Sequence, residues 1–169
     1  MDWKDLASTV VYTGITTENE NIWEHVDGVD VEFIGAFLTA HLSPEKYISD
    51  YLNLRYPSLS WGDAKLTFSQ KIALIEHESA KPPYNEIYVR IKDFNSIRNK
   101  ISHQLNYRIT DKEKSKFVDF YIKITKENKN KPDIDVDNIA DLLNFFIMIT
   151  KAYFASAISH YHYNKNGHR

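Results

Sequence analysis

The chain has 169 residues, 43% of them hydrophobic and 14% aromatic, with 21 Lys+Arg against 23 Asp+Glu and a formal charge of −2. That is enough for one domain with a real core, and too apolar for a disordered tail. It contains no cysteine, which excludes a disulfide scaffold and a thiolate zinc site.

Helical signals run through almost the whole chain. Asp2 to about Tyr12 predicts a short amphipathic helix, broken at Gly14, Thr16 and Thr17. From Asn21 to His41 the apolar residues Ile22, Val26, Val29, Phe33, Phe37 and Leu38 recur mostly at helical spacing, with Gly28 weakening the middle. Ser43-Pro44-Glu45 has the form of an N-cap, a first-turn proline and a first-turn acid. It predicts a separate helix to about Arg55, which Tyr56-Pro57 ends.

Trp61-Gly62-Asp63 reads as a turn, and Leu66 to about Ser79 as the next helix. After Lys81-Pro82-Pro83, Asn85 is placed to cap a helix reaching about Gln104. Thr110 and Glu113 have capping-box spacing and predict a helix to about Glu127. Beyond the polar loop 128–132, Asp135 or Asp137 opens a last helix to about Tyr163. No segment alternates as a strand should, and no internal repeat is visible. The expectation is a single all-α domain over 1–169, a helical bundle of about six to seven helices.

The stretch Ile139–Ile158 is the most apolar, but it carries Asp141, Asn144 and Lys151. A charge near a bilayer centre costs about 2.5–3.5 kcal/mol, so this segment predicts a buried core helix and no membrane. Met1-Asp2-Trp3-Lys4-Asp5 lacks a basic region leading into an apolar run, so a cytoplasmic protein is expected. No metal ligand set converges. His160, His162 and His168 lie at the C-terminal end, and two histidines two apart on a helix diverge. Neither a metal nor any other cofactor is expected. Tyr153, Tyr161 and Tyr163 suit either base stacking or helix packing.

Charge is unevenly spread. Residues 1–89 hold 6 Lys+Arg against 14 Asp+Glu, a balance of −8, whereas residues 90–131 hold 12 against 5, a balance of +7. The basic block contains Arg98, Asn99, Lys100, Ser102 and His103. It is either an anion-attracting face or an ordinary solvated lysine surface.

On the predicted helix 85–104, Ile87, Ile91, Phe94, Ile101 and Leu105 fall within about 40° of one line, and Ile97 at its edge. Arg98 falls inside that apolar stripe. Asn95, Asn99 and His103 form a polar ridge beside it. A guanidinium cannot give up its charge, so Arg98 must find an anion, reach solvent or line a cleft. Arg98 and His103 lie about 140° apart on a straight helix. A second copy of the helix across a two-fold axis would reconcile both features, so a homodimer is expected. The opposing expectation pairs Arg98 with an acid of residues 1–89 and makes His103 a dipole-stabilising helix end.

Arg98-Asn99-Lys100-Ile101-Ser102-His103 resembles the motif of the HEPN superfamily, an arginine followed after four to six residues by a histidine, often with a polar residue directly after the arginine. Phe94-Asn95-Ser96-Ile97 looks like the usual approach to that motif, and Leu66–Ile75 like the helix that precedes it. The resemblance implies a HEPN-like up-down core over about 65–163, with the N-terminal helices of 1–60 packed on it. It also implies a metal-independent endoribonuclease, of the kind found in toxin–antitoxin and phage-defence systems, with a composite dimeric site. Arg98, His103 and Asn99 would be catalytic, and Lys100, Asn95 and Ser102 would bind the RNA. A cognate antitoxin or regulatory protein would be the partner. The family also contains non-catalytic regulatory or protein-interaction modules, the mannitol-operon repressor group among them, and these supply the alternative.

Overall fold

The computed structural model describes residues 10–25, 30–59, 61–78, 80–104, 106–126 and 131–165. Their order is β1 (Val10–Ile15), β2 (Asn21–His25), α1 (Val31–Arg55), α2 (Trp61–Ala64), α3 (Phe68–Ile75), α4 (Ile87–His103), α5 (Asp111–Thr125) and α6 (Ile139–Lys165). The molecule is thus mostly helical, with one small antiparallel hairpin.

The hairpin corrects the expectation of a strand-free chain. Tyr12 pairs with Trp23 and Gly14 with Ile22, with a bulge between Tyr12 and Gly14. Gly14 sits at φ 157°, a value that side-chain-bearing residues rarely adopt. The turn is held by Thr16, whose N–H donates to the Glu20 carbonyl at 2.8 Å, with Asn19 in the left-handed region at φ 69°. Gly14, Thr16 and Thr17 therefore turn a hairpin where a helix break was expected. Ile22 shares the helical spacing of Phe33 and Phe37, but it lies on a β-branched, aromatic strand. Of the first expected helix, residues 2–9 lie outside the described residues, as do Val26, Gly28 and Val29 of the second.

Helix α1 opens later than expected, at Asp30, whose carboxylate accepts from Phe33 N–H at 2.8 Å. It then runs straight through Ser43-Pro44, so the separate helix expected there does not exist. An interior proline costs about 3 kcal/mol. Pro44 lies on the buried face with Phe37, His41, Ile48 and Leu52, and α1 packs mainly along α6. That shared core outweighs the local signal. Tyr56 caps the helix before Pro57 as expected. Trp61–Ala64 forms a single helical turn where a simple turn was anticipated, and the indole N–H of Trp61 donates to the Tyr56 carbonyl at 2.9 Å.

Capping fixes two of the other helices. Thr67 and Gln70 form a reciprocal capping box at the start of α3, and Thr110 and Glu113 do the same for α5. Asn85 does not cap α4: the cap position is Glu86, with no side-chain bond. Helix α6 opens at Asn138, whose side-chain oxygen accepts from Ala140 N–H at 2.9 Å.

The core is aromatic. Phe146 of α6 is surrounded by Phe94 of α4 and by Phe117 and Phe120 of α5, at ring-centroid distances of 5.4, 5.2 and 5.7 Å. The buried residues of α6 run from Leu142 to Phe154, whereas Met148 and Tyr163 are exposed. Beyond Phe154 the helix is only partly covered, with Ala155 and Ile158 half-buried in a groove shared with Tyr47 and Leu54 of α1. By length and composition Ile139–Tyr163 would also suffice to cross a membrane, and 39% of its apolar window is buried. Core helices of soluble proteins meet the same criterion.

Replacing Phe146 by Ala should remove the contact shared by α4, α5 and α6. Denaturant unfolding should show a loss of about 3–5 kcal/mol, measured against an exposed control such as Met148→Ala, which should shift stability little.

Candidate functional site

Helix α4 presents the motif. Ile87, Ile91, Phe94, Ile97 and Ile101 are all buried, so the apolar stripe faces the core as the spacing predicts, with Ile97 fully inside it. The polar ridge divides. Asn95 is buried, and its amide Nδ2 donates to Ser69 Oγ of α3 at 2.8 Å. Asn99 and His103 are exposed. Asn95 is therefore committed to holding α3 against α4, and the first member of the expected ridge is a core residue. Leu105 lies outside the described residues.

Arg98 is half-buried and donates through Nη1 to the Asn99 side-chain oxygen at 3.2 Å. Its Nε is buried without a hydrogen-bond partner. Among the described residues it makes no ion pair, so the internal pair with an acid of residues 1–89 is not formed there. The contrast with its neighbours on the same helix is informative. Arg90 pairs with Asp93 at 2.9 Å, Lys92 with Glu76, and Lys100 with Glu113 at 2.7 Å. Among the described residues, Arg98 is the arginine or lysine of α4 with no carboxylate partner.

His103 is the last residue of α4, exposed, where its charged form would meet the negative end of the helix. Ser102 donates its hydroxyl to the Asn99 carbonyl at 2.9 Å, an ordinary in-helix bond. Lys100 is engaged by Glu113 and lies over the Tyr107 ring at 5.4 Å. Asn99 and His103 thus lie on the exposed side of α4, Arg98 is half-buried at the edge of its core-facing side, and Lys100 and Asn95 are bound into the scaffold.

Glu113 organises the chain just after the motif. It accepts from Lys100, from the Tyr107 hydroxyl, and from the Thr110 N–H and hydroxyl at 3.0 and 2.8 Å. Burial alone would raise its carboxyl, but the hydrogen bonds from Lys100, Tyr107 and Thr110 outweigh burial and pull it down to about 2. One carboxylate thereby ties the end of α4 to the start of α5.

Behind the motif lies a residue that motif spacing did not single out. His41 of α1 is 2% exposed, with its ring stacked on Phe94 at 5.5 Å and edge-on to Phe68 at 4.4 Å. Its Nδ1 faces the Glu45 carboxylate at 3.9 Å, and Glu45 pairs with Lys71 at 2.9 Å. Its Nε2 is buried and unpartnered. Burial pushes the imidazole below its ordinary value of 6.5, and the Arg98 charge pushes it further down. Glu45 and Asn95 pull it back only in part. A signal existed in the sequence: His41 stands four residues after Phe37 and seven before Ile48, within a buried stripe.

The basic block is less open than its net charge implies. Of its twelve cations, Arg90, Lys92, Lys100, Lys114, Lys116 and Lys123 are paired with carboxylates. Three of those acids, Glu76, Glu86 and Asp137, come from outside the block. No group of three or more His, Asp or Glu side chains suited to a metal ion forms among the described residues. His160 and His162 lie on α6, and His168 lies outside the described residues. Comparison with family models, curated proteins and solved structures finds no match to this chain.

Glu113→Gln should cost on the order of 2 kcal/mol at neutral pH by weakening four charge-assisted bonds. Because the folded carboxyl titrates below its ordinary 4.5, its contribution is full above that value and is lost as pH falls towards about 2. Urea unfolding from pH 7 to 2 should show that acid-side loss in the wild type, and less of it in the variant.

Proposed function

We propose that the chain is a metal-independent endoribonuclease of HEPN type, built on an up-down helical core over about 65–163 and completed as a homodimer. The observation that carries this is the state of Arg98. It is a half-buried guanidinium with an unpartnered Nε and no carboxylate among the described residues, on a helix whose other arginine and lysines are all paired. Such a group is prepared for an external anion, and a phosphate matches its planar donors.

The chemistry follows from the residues beside it. The RNA 2′-hydroxyl attacks the adjacent phosphorus, forming the O2′–P bond while the P–O5′ bond breaks. One His103 takes the 2′ proton, and His103 of the second copy gives a proton to the departing O5′. The products are a 2′,3′-cyclic phosphate and a 5′-hydroxyl. Arg98 neutralises charge building on the phosphate oxygens, and Asn99, already bonded to the guanidinium, keeps it oriented. Two copies supply the separate acid and base that one imidazole cannot provide at once. Ser102 lies next to His103 at the mouth of such a cleft, while Lys100 and Asn95 act through the scaffold. A cytoplasmic toxin or phage-defence role, with a cognate antitoxin as partner, accompanies this assignment.

One observation favours a second reading, a non-catalytic regulatory or protein-interaction module. With half of the basic block tied into ion pairs, less charge remains to follow an RNA backbone. The two readings differ in salt response. A nuclease contacting phosphates should lose RNA affinity steeply as salt rises, whereas a regulator should hold a protein partner and no RNA.

Arg98→Ala and His103→Ala should each abolish cleavage of a single-stranded RNA, assayed with chelator present, while analytical ultracentrifugation still finds a folded dimer. Wild-type rates in both variants, or a strictly monomeric active protein, would refute the assignment.

A further inference from the structure

We infer that the cavity beside the end of α4 is a nucleotide subsite of the RNA-binding site. It takes a nucleotide flanking the scissile phosphate and favours a base that carries an amino group over uracil. The inference rests on the nuclease reading of Arg98 and His103.

The cavity, of about 490 Å³, lies where the start of α1, the link from α4 to α5 and the start of α6 come together. Sites for small organic ligands span roughly 300–1,000 Å³. Its walls are Phe33 and Ile34 of α1, Tyr107 and Ile109 of the link, and Ile139 of α6, all half-buried. Both aromatic walls are anchored to α4. The Phe33 ring stacks on Phe37 at 5.8 Å, and Phe37 meets Phe94 at 5.0 Å. Tyr107 has the Lys100 ammonium over its ring at 5.4 Å and donates its hydroxyl to Glu113. The link turns back on the helix end as well: Gln104 N–H donates to the Lys100 carbonyl at 2.9 Å, and Tyr107 N–H to the Gln104 carbonyl at 3.0 Å. Tyr107 stands only four residues beyond His103, against a side chain of the motif itself. The cavity therefore adjoins the motif in space as well as along the chain.

Its polar groups narrow the ligand. Asp30, Arg108 and Asn138 line the same cavity and are all exposed, which sets them at its rim. Arg108 makes no ion pair among the described residues, even with Asp30 on the same cavity. It is a cation of the basic block left for a phosphate, and its planar donors suit one. Asp30 commits one oxygen to Phe33 N–H at 2.8 Å, and Asn138 commits its side-chain oxygen to Ala140 N–H at 2.9 Å. A carboxylate oxygen therefore remains to accept and an amide to donate. Adenine, cytosine and guanine each present an amino donor beside an acceptor, whereas uracil has no amino group and flanks its single N–H with carbonyl oxygens that a carboxylate repels. Phe33 and Tyr107 offer rings of the kind on which bases stack. Apolar walls alone would admit any hydrophobic ring. With a carboxylate, an amide and an unpaired guanidinium added, the lining calls for a flat ligand that donates from one end and carries an anion at the other, and a nucleotide has that form.

The test uses the full chain, labelled with nitrogen-15 and titrated separately with adenosine, cytidine, guanosine and uridine 5′-monophosphates. The first three should shift the amides of Phe33, Arg108, Ile109 and Ala140, and the uridine compound should bind about tenfold more weakly. Asp30→Asn keeps a side chain that caps α1 and should remove that discrimination. Arg108→Ala should weaken all four several-fold and leave their order unchanged. Both positions are exposed, so neither variant unpacks the core. Equal binding of the uridine compound, shifts only at amides away from the cavity, no shift with any of the four, or wild-type discrimination in Asp30→Asn would each overturn the inference. A second readout is cleavage of single-stranded RNAs varied one base at a time around the cut. One flanking position should disfavour uracil, and Asp30→Asn should erase that preference. Cleavage that Arg98→Ala stops, but that neither Asp30→Asn nor Arg108→Ala alters, overturns the subsite and leaves the nuclease reading standing. Discriminating binding of the monophosphates at these amides by a protein that cuts no RNA defeats the nuclease reading and upholds the cavity as a nucleotide site.

Discussion

Where α4 points is decided by Phe94. Its ring meets Phe37 at 5.0 Å, His41 at 5.5 Å and Phe146 at 5.4 Å, so it is gripped by α1 and α6 at once. A helix held by a fully buried ring has little freedom to rotate, because turning it would pull Ile91, Ile97 and Ile101 out of the same core. The exposure of Asn99 and His103, and the half-burial of Arg98, follow from that one setting. The motif is thus presented by packing, with no loop involved in its placement.

Charge is disposed in the same way. Most cations near the motif are tied to acids of neighbouring elements: Lys92 to the turn after α3, Lys123 to the cap of α4, and Lys114 to the approach to α6. Partly exposed pairs of this kind contribute little each, typically under about 1 kcal/mol. What they do collectively is fix which positive groups remain for a ligand. The excess of +7 in the sequence is therefore a poor measure of the face that a polyanion would meet. Arg98 is held by an amide and opposed by no acid among the described residues, a distinction from its neighbouring cations that only the pairing reveals.

The legibility of the sequence varied with the range of the interaction. The Thr110–Glu113 cap and the apolar face of α4 are local, three or four residues in span, and both are found as their spacing predicts. The Thr67–Gln70 box is equally local and was open to the same reasoning. Pro44 was misleading because a first-turn proline and an interior proline look alike until the tertiary packing of α1 on α6 is known. The hairpin is not legible in the sequence, because Ile22 suits helical and strand spacing alike. Arg98 and His103 were visible as a motif, whereas the burial of Asn95 and the placement of His41 depend on contacts 26 or more residues away. No local pattern carries that information.

The hairpin has one more consequence. None of its described side chains belongs to the core, while Tyr12, Ile15 and Trp23 lie open, the Tyr12 and Trp23 rings meeting edge to face at 5.7 Å. Two-stranded hairpins are marginal alone in water, and among the described residues its turn bonds and that ring pair support the strand pairing. Substitutions at Tyr12, Ile15 or Trp23 alter the surface without unpacking a helix. The helical body is constrained by a shared aromatic core, but the hairpin is not. Among the described elements it is the one in which sequence can drift, and new binding preferences can arise, at little cost to the helical core.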